Sequence, residues 1–421
     1  MDRSRLWHWG GLLALLSLLL GCSLFSVTPP ATVSLPTATS SPTATAVPTE
    51  TPVVASPADA CPAPRAVSPP QREDAGGEAQ DVEAWIDEVR SYLSEGGDPA
   101  DVPLLDYETM HRGDLTGEGS QETIYAFIDL QAQQLVPAVH LVVFACRAQE
   151  MAVLYHYVPM DGYSLEMIGV EDLTQDGVAD LVFSEFTCGA HTCWHTPIVW
   201  SWGTNDFENR MAEEFQYPYA TYELGADELT VVSAGVGSVG AGPQRVTTTT
   251  LAWTGEAITV SEETLDDPTY RYHAFLDGER ALSTGAYDIA ETAYARVIED
   301  ASLEPWGAFY GAEEERAWLE ILAQWRRVIL AVMADRPIEA QAAYEVLDVA
   351  LGEQDPGAPV LVLAQRFWQA YQEGSDAASA CAFAINALEA EPVLDFLNSF
   401  GYANPIYEHP DLCPGLDVVG E

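Results

Sequence analysis

The stretch Asp172–Asp180, with the sequence DLTQDGVAD, decides how the rest of the chain is interpreted. It places side-chain oxygens at positions 1, 3, 5 and 9 of a short loop and a glycine, Gly177, at position 6. A hard cation such as Ca²⁺ takes about six to eight oxygen ligands, and a short loop supplies them only where its backbone curls tightly. Because glycine adopts the positive φ that such a curl needs, the stretch predicts a calcium-binding loop.

A second copy of this pattern lies earlier in the chain, at Asp114–Glu122, with the sequence DLTGEGSQE. The two copies share Asp-Leu-Thr at the start, an acid at position 5, glycine at position 6 and an acid at position 9. Two copies with matching offsets indicate an internal repeat.

Most of the sequence between 107 and 263 has the composition of short β-strands. Eight segments rich in β-branched or aromatic residues are separated by Gly, Asp or Pro. These predicted strands are Glu122–Leu130, Val139–Arg147, Ala152–Val158, Ala179–Phe186, Pro197–Trp202, Leu229–Ala234, Arg245–Trp253 and Ala257–Ser261. Both acidic loops run directly into such a strand. A helix is predicted before them at Val82–Leu93, where apolar residues recur at helical spacing.

The strand that follows each loop separates the pattern from EF-hand and dockerin loops, which lead into a helix and place the last ligand at position 12. The pattern resembles the calcium loops of FG-GAP/VCBS repeats, as in integrin-type β-propeller blades. The resemblance implies a structural Ca²⁺ in each loop. The implied ligands are Asp172, Thr174, Asp176, Asp180 and the Val178 carbonyl in one loop, and Asp114, Thr116, Glu118 and Glu122 in the other.

The two loops depart from the family pattern to different degrees. Threonine replaces the usual Asp or Asn at position 3 of both, and Glu118 and Glu122 add a methylene to two ligands of the earlier loop. Acidic β-turns that bind no metal are the alternative, because Asp and Gly are common in turns. The repeat is shorter than a propeller of about 4–8 blades. We therefore expect a leading helix and an antiparallel blade-like or sandwich β domain over 81–265.

From Pro268 onward the apolar period becomes helical. Small Ala290 between Tyr287 and Tyr294 resembles the second half of a tetratricopeptide repeat (TPR), and similar offsets recur at Ala340 and Ala380. The spacing between these copies is uneven and longer than the family's repeat of about 34 residues. Helices are predicted before the three copies, and a cap after them, at Tyr270–Leu282, Ala312–Ala334, Pro359–Gln372 and Val393–Phe400. The resemblance implies a TPR-like stack of three helix pairs over 268–421; an irregular helical domain is the alternative.

The N-terminus has the order of features found in a secretory signal peptide. Arg3 and Arg5 precede a short apolar segment that ends in Leu-Leu-Gly before Cys22. This ending resembles the lipobox of bacterial lipoproteins, which implies removal of Met1–Gly21, lipidation of Cys22 and anchoring to the outer face of the cell membrane. An ordinary signal peptide is the alternative. Residues 22–80, rich in Thr and Pro, are predicted to form a disordered stalk.

Six cysteines remain besides Cys22, an even number that predicts disulfides outside the cytoplasm. Proximity favours Cys188–Cys193 and Cys381–Cys413, which leaves Cys61 and Cys146 as the third pair. A zinc site is the alternative for one cluster, because four N/S ligands fall close together in the sequence there. Its members are Cys188, His191, Cys193 and His195.

The 421-residue chain carries a formal net charge of −48 and contains no lysine, which argues against binding to nucleic acid or anionic lipid headgroups. No recognised catalytic motif appears, and no enzymatic activity is predicted. The parts favour a monomeric binding or scaffolding protein of the cell envelope, with a protein or peptide in the helical groove or a glycan on the tryptophans of the β domain. These tryptophans are Trp194, Trp200 and Trp202. An extracellular hydrolase of cell-wall or extracellular polysaccharide is the alternative.

Overall fold

The β-rich part of the chain forms antiparallel sheets whose strands follow one another in sequence order. The computed structural model describes residues 62–71, 81–106, 108–129, 138–350, 357–386 and 390–416. Within these ranges the chain forms thirteen strands in three sheets, and eight α-helices. Met1–Gly21, Cys22, Cys61 and most of the predicted stalk lie outside them. None of the helices in these ranges has the length and apolar character needed to cross a membrane.

Each sheet is an up-and-down meander of four strands, and β9 extends the second sheet by pairing with β7. The first strands of the three sheets begin at nearly equal intervals along the chain, and the interval is close to that between the acidic loops. The first sheet contains β1 (Thr109–Gly113), β2 (Glu122–Ile128), β3 (Val139–Arg147) and β4 (Glu150–Tyr157). The second contains β5 (Ser164–Glu171), β6 (Asp180–Cys188), β7 (Cys193–Trp202), β8 (Phe207–Asn209) and β9 (Tyr217–Pro218). The third contains β10 (Ala220–Leu224), β11 (Glu228–Ser233), β12 (Thr247–Trp253) and β13 (Ile258–Leu265).

The sheets stack face to face, with helix α1 (Val82–Ser94) on the outer face of the first. Alternate side chains of a strand point to opposite faces. On β2, Tyr125 and Phe127 therefore pack in one core with α1, while Ile124 packs in a second core with residues of the second sheet. On β6, Phe183 contributes to that second core, and Val182 packs in a third core with the third sheet. Strands in the middle of the stack are thus apolar on both faces.

The C-terminal part is helical, and its consecutive helices contact one another as hairpins. The helices are α2 (Arg271–Ser283), α3 (Tyr287–Glu299), α4 (Ala312–Met333), α5 (Pro337–Ala350), α6 (Ala358–Gln372), α7 (Ala377–Asn386) and α8 (Glu391–Leu397). The α2 and α3 helices approach closely because Gly278 faces the ring of Tyr294, where a Cβ would lie 2.4 Å from a ring carbon. The fully buried Arg326 of α4 donates to Glu279 Oε1 of α2 at 2.8 Å, so an ion pair joins two hairpins.

The glycine-rich segment between β11 and β12 meets the C-terminal end of the helical part. Tyr402 N–H donates to Gly240 O and Ala403 N–H donates to Ala241 O, both at 3.1 Å. Gly242 has φ +91°, and a Cβ there would lie 1.6 Å from Phe400 O. Only glycine fits this approach. The segment leads into β12 and so connects two neighbouring strands of the third sheet.

The expected mixture of antiparallel β-sheets and α-helices is confirmed. Each of the eight predicted strands overlaps a strand, and the predicted leading helix and the helices before the three TPR-like copies are present. The sequence prediction was incomplete, because it missed strands that are short, polar or at a sheet edge. These are β1, β5, β8, β9 and β10.

Residues 62–71, predicted as stalk, form no helix or strand but contact the region of α1. Arg65 N–H donates to Gly96 O at 2.8 Å, and Val67 packs against the core beneath α1.

Candidate functional site

The two acidic loops occupy equivalent places in consecutive sheets. Asp114–Glu122 connects β1 to β2, and Asp172–Asp180 connects β5 to β6. In both hairpins the residue before the loop pairs with its last acid, as in Gly113 opposite Glu122. The leucine at position 2 of each loop is buried, Leu115 in the core between the first and second sheets and Leu173 in the core between the second and third. Each loop is therefore anchored in its own intersheet core.

The later loop is curled by hydrogen bonds from its own backbone to its carboxylates. Asp172 Oδ1 accepts from Asp176 N–H at 3.0 Å, and Asp172 Oδ2 accepts from Gly177 N–H at 2.9 Å. Asp176 Oδ1 in turn accepts from Val178 N–H at 2.8 Å. Gly177 has φ +88°, the left-handed conformation expected from the sequence. The side chains at positions 1 and 5 thus hold the turn.

The last acid of the later loop, Asp180, is buried, with 1% of its surface exposed. Its carboxylate accepts from Thr174 N–H at 2.8 Å, from the Thr174 hydroxyl at 3.3 Å and from the hydroxyl of Ser201 on the neighbouring β7. Burial raises the pKa of Asp180, and the hydrogen bonds from Ser201 and Thr174 partly oppose that rise. A cation beside this carboxylate would relieve the cost of its buried charge.

The earlier loop repeats the arrangement with fewer donors. Glu122 accepts from Leu115 N–H at 2.8 Å and from the Thr116 hydroxyl at 3.3 Å, and Asp114 Oδ2 accepts from Gly119 N–H at 2.8 Å. Asp114 Oδ1 is buried and has no hydrogen-bond partner. Burial raises the pKa of Glu122, and the negative charge of Asp114 adds to the rise. A buried oxygen without a donor fits the presence of a cation in this loop.

The side chain of Glu118, an expected ligand at position 5 of the earlier loop, is engaged by an arginine. Glu118 Oε2 accepts from Arg147 Nη1 at 2.7 Å, and both side chains are at least about a third exposed.

The two loops also touch each other. Ala179 N–H donates to Asp114 O at 3.0 Å, and a Cβ on Gly117 would lie 2.9 Å from Val178 Cγ2. The loops therefore join the first and second sheets through a direct contact.

The carboxylates of each loop lie farther apart than those of a closed metal cage. Among the His, Cys, Asp and Glu residues that the structure describes, one group of three or more has all its ligand atoms within 4.8 Å of one another, and it belongs to neither loop. That group is Glu83, His140 and His156. Binding of Ca²⁺ would thus need backbone carbonyls, threonine hydroxyls and water to complete the coordination.

The group of Glu83, His140 and His156 was not predicted from the sequence. His140 and His156 lie on the two arms of the β3–β4 hairpin, and Glu83 lies in the first turn of α1. The available signal was a pair of histidines at nearly equal distances from the turn at Ala148–Gln149, where both residues have positive φ. Nothing in the sequence indicated that α1 covers this face.

The predicted disulfides Cys188–Cys193 and Cys381–Cys413 are both present, with Cα–Cα distances of 4.0 and 6.4 Å. The zinc alternative for the first pair is excluded because its two thiols are bonded to each other. His195 of that cluster stacks on Phe186 at 5.1 Å between ring centroids. Cys146 is also disulfide-bonded, and its predicted partner Cys61 lies outside the described residues.

The three tryptophans considered for glycan binding have different environments. Trp200 packs in an aromatic cluster with Phe183, at 4.7 Å between ring centroids, and with the tyrosines of β4. Trp202 contacts Phe207 at 5.0 Å. Trp194 is 37% exposed and lines a cavity of about 520 Å³ together with His191, Gln244 and Tyr402. Trp194 is thus the member of the three best placed to meet a ligand.

An apolar groove of about 770 Å³ runs over α2 and α3. Its floor is formed by small apolar side chains and by Ile289, which is 65% exposed. Two arginines, Arg280 and Arg296, and two aspartates, Asp277 and Asp288, also line it. The acids whose pKa is raised by burial, Glu122, Glu166 and Asp180, do not line this groove. The groove therefore has the character of a binding surface more than that of a carboxylate active site.

Comparisons with protein-family models, with curated proteins and with solved structures found no match for this chain. The acidic loops, the apolar groove and the aromatic cavity are therefore the features from which a function is inferred.

Proposed function

We propose that this protein is an exported, lipid-anchored binding or scaffolding module of the cell envelope. Cys22 would carry the lipid, the segment that follows would raise the folded part above the membrane, and the β-rich part would support the helical part. Three features support the proposal: the lipobox-like sequence, the repeated acidic loops and an apolar groove on the helices. Among the residues that the structure describes, the acids whose pKa is raised by burial do not line this groove, which supports binding there over the hydrolase alternative.

The β-rich part is proposed to be a short array of FG-GAP/VCBS-like blades. This proposal is supported by three consecutive four-stranded meanders, by the nearly equal spacing of their first strands, and by acidic loops that join the first and second strands of two of them. When bound, Ca²⁺ would neutralise the buried carboxylates of these loops. Asp180 and Glu122 would then hold the hairpin ends while Asp114 Oδ1 gained a partner.

The helical part is proposed to be a TPR-like stack that binds an extended peptide. The single observation that carries this proposal is the groove over α2 and α3, where alanines leave room beside the exposed side chain of Ile289. Helical repeats commonly bind extended segments in such grooves. Arg280 and Arg296 line the groove together with Asp277 and Asp288, and each arginine is paired with an aspartate, Arg280 with Asp277 at 3.7 Å and Arg296 with Asp300 at 3.0 Å. The groove therefore favours a peptide with small apolar side chains.

The proposed peptide interaction can be tested by capture of partners from an envelope extract. The wild-type chain is compared with Ile289→Glu, which places a charge in the groove, and with Ile338→Glu as a matched control. Ile338 is 85% exposed on α5 and does not line the groove. We expect one set of proteins to be captured by the wild type and by Ile338→Glu and to be lost with Ile289→Glu. Equal capture by all three would contradict the proposal.

A glycan partner is supported by a different observation, the cavity beside Trp194 and Tyr402. Both rings are partly exposed, and Gln244 and His191 supply polar groups at the same cavity. Aromatic faces next to polar groups suit sugar rings, which have one apolar face and many hydroxyls. Binding to purified wall polysaccharide should fall with Trp194→Ala and persist with Trp202→Ala. A loss in neither variant would argue against this cavity.

A further inference from the structure

Two histidines and a glutamate from three different elements meet on the face of the first sheet that α1 covers. His140 lies on β3, His156 on β4 and Glu83 in the first turn of α1. Their ligand atoms all lie within 4.8 Å of one another, and no other group of three or more His, Cys, Asp and Glu in the described ranges does so. We propose that Glu83, His140 and His156 bind a divalent transition-metal ion of the Zn²⁺ class.

The strand register explains why the two imidazoles share a face. His156 is paired with Val142, and Val142 packs in the core beneath α1. Because successive side chains alternate between faces, His140, two positions before Val142, points to the same side. The same packing places Glu83 above them, since the side chains of Val82 and Ile86 on α1 are buried in that core. The cluster is thus fixed by sheet pairing and by helix packing together.

The distances suit a four-coordinate ion after a small adjustment. His140 Nδ1 lies 2.9 Å from His156 Nε2. Two nitrogens bound tetrahedrally to zinc, each at about 2.0–2.1 Å, are about 3.3 Å apart, so the rings need to separate by only about 0.4 Å. Glu83 Oε1 lies 3.8 Å from His156 Nδ1, the ring nitrogen that does not face His140, and the Glu83 side chain, which is 62% exposed, can rotate to bring an oxygen to the ion. Two imidazoles and one carboxylate leave one position for water.

Nearby carboxylates favour a cation at this place. Asp81 and Asp129 lie near enough to His140 to act on it electrostatically, and Asp81 also caps α1 by accepting from Glu83 N–H at 3.1 Å. His140 is 7% exposed. Burial lowers the pKa of His140, and the neighbouring His156 lowers it further, which favours the neutral ring. Neutral imidazole is the form that binds metal.

The ligand types distinguish this cluster from the acidic loops. Ca²⁺ prefers ligands that are all oxygen, whereas imidazole nitrogen favours zinc and its neighbours in the first transition series. The bound ion would connect α1 to β3 and β4. It would therefore stabilise the packing of α1 on the first sheet, on the face opposite to the second sheet.

Calorimetric titration of the full chain with Zn²⁺ tests the proposal. Bound metal is first removed with a chelator, and the chelator is then removed. Excess Ca²⁺ is kept present to occupy the acidic loops. We expect one Zn²⁺ per chain, with affinity about 100-fold lower in His156→Ala and about 10-fold lower in Glu83→Gln. His156 and Glu83 are partly exposed, so both variants should fold, and His191→Ala, which removes an exposed histidine elsewhere, serves as the control.

Substitution of Co²⁺ for Zn²⁺ gives a second readout, because its visible absorption is strong in a four-coordinate site with nitrogen ligands and weak in a six-coordinate oxygen site. We expect the strong spectrum in the wild type and in His191→Ala and its loss in His156→Ala. Absence of Zn²⁺ binding, or binding that His156→Ala and Glu83→Gln leave unchanged, would overturn the proposal. Either result would show a hydrogen-bonded histidine pair without a metal.

Discussion

The loops Asp114–Glu122 and Asp172–Asp180 have almost the same chemistry, yet the structure satisfies them unequally. In the later loop both oxygens of Asp172 accept backbone hydrogen bonds, and Asp180 receives an extra donor, Ser201, from the next strand. In the earlier loop one oxygen of Asp114 is buried without a donor, and Glu118 is paired with Arg147.

This difference reverses the order that ligand count alone would give. The later loop matches the calcium-loop pattern more closely, but its carboxylates already serve as caps for its own backbone. The earlier loop matches less well and keeps an unsatisfied buried oxygen. A cation is favoured where negative charge is left uncompensated, and not simply where more acids occur. We therefore expect the earlier loop to depend more on Ca²⁺.

The largest expected effect comes from removing the last acid of each loop. Asp180→Ala should lower the free energy of unfolding by about 3 kcal/mol, and Glu122→Ala by about 2 kcal/mol, because each leaves buried donors unpaired and Asp180 has one more. Urea denaturation in the presence of chelator measures both. Ser201→Ala should reproduce about 1 kcal/mol of the Asp180 effect. Equal losses for Asp180→Ala and Glu122→Ala would remove the proposed asymmetry.

The calcium dependence provides the next largest effect. A ligand that binds only the folded state at 100 times its Kd stabilises it by about 2.7 kcal/mol. We expect Ca²⁺ to raise the Tm of the wild type, Asp114→Asn to abolish most of that rise, and Asp172→Asn to abolish less. Differential scanning calorimetry with Ca²⁺ and with chelator measures the shifts. A greater loss with Asp172→Asn would restore the order predicted from the sequence, and no shift in the wild type would refute calcium binding.

Substitutions of three loop glycines separate packing between the loops from backbone strain. Gly177→Ala places a side chain at φ +88° in open space, which should cost about 1 kcal/mol. Gly117→Ala, at φ +70°, brings a Cβ within 2.9 Å of Val178 Cγ2 and should cost about 2 kcal/mol. Gly119→Ala is the matched control, because φ is +80° there and nothing lies within 4 Å of the added Cβ. Costs for Gly117→Ala and Gly119→Ala that agree would argue against tight packing of the loops.

The smallest expected effect is a dependence of stability on pH. The pKa of Asp180 is raised in the folded state, so its protonated form contributes stability at low pH that is lost as the pH rises through the folded pKa. In chelator, the wild type should therefore lose stability relative to Asp180→Asn between about pH 4 and neutrality. Added Ca²⁺ should reduce that relative loss. Urea titrations of the two proteins at several pH values give the difference directly, and a difference that does not vary with pH would contradict the assigned burial.

The features predicted from the sequence depend on neighbouring residues. Turn chemistry placed both acidic loops before strands, helical periodicity located the hairpins, and proximity identified two disulfides. The features that were missed depend on residues far apart in the chain. The bond from Ser201 to Asp180, the contact of Ala179 with Asp114 and the cluster of Glu83 with two histidines all follow from the pairing of particular strands or from the packing of α1.

Two of the missed strands have the same physical cause. β1, with the sequence TMHRG, and β10, with the sequence ATYEL, lack a clear apolar alternation. Their identity as strands comes from the register with β2 and β11, which supplies the hydrogen bonds that local propensity does not indicate. Sequence reasoning thus located the loops but not the strand that precedes either of them.

The contact between the glycine-rich segment and the C-terminal end can form only after the C-terminal end has been synthesised. Tyr402 is made long after its partner Gly240, and at about 5–20 residues per second it arrives about 10–30 s later. Until then the carbonyls of Gly240 and Ala241 lack the donors that they have in the folded chain, Tyr402 N–H and Ala403 N–H. Joining these segments is consequently one of the last steps in which the nascent chain closes, and a ribosome that stalls before Phe400 would leave a flexible glycine-rich segment open to proteases.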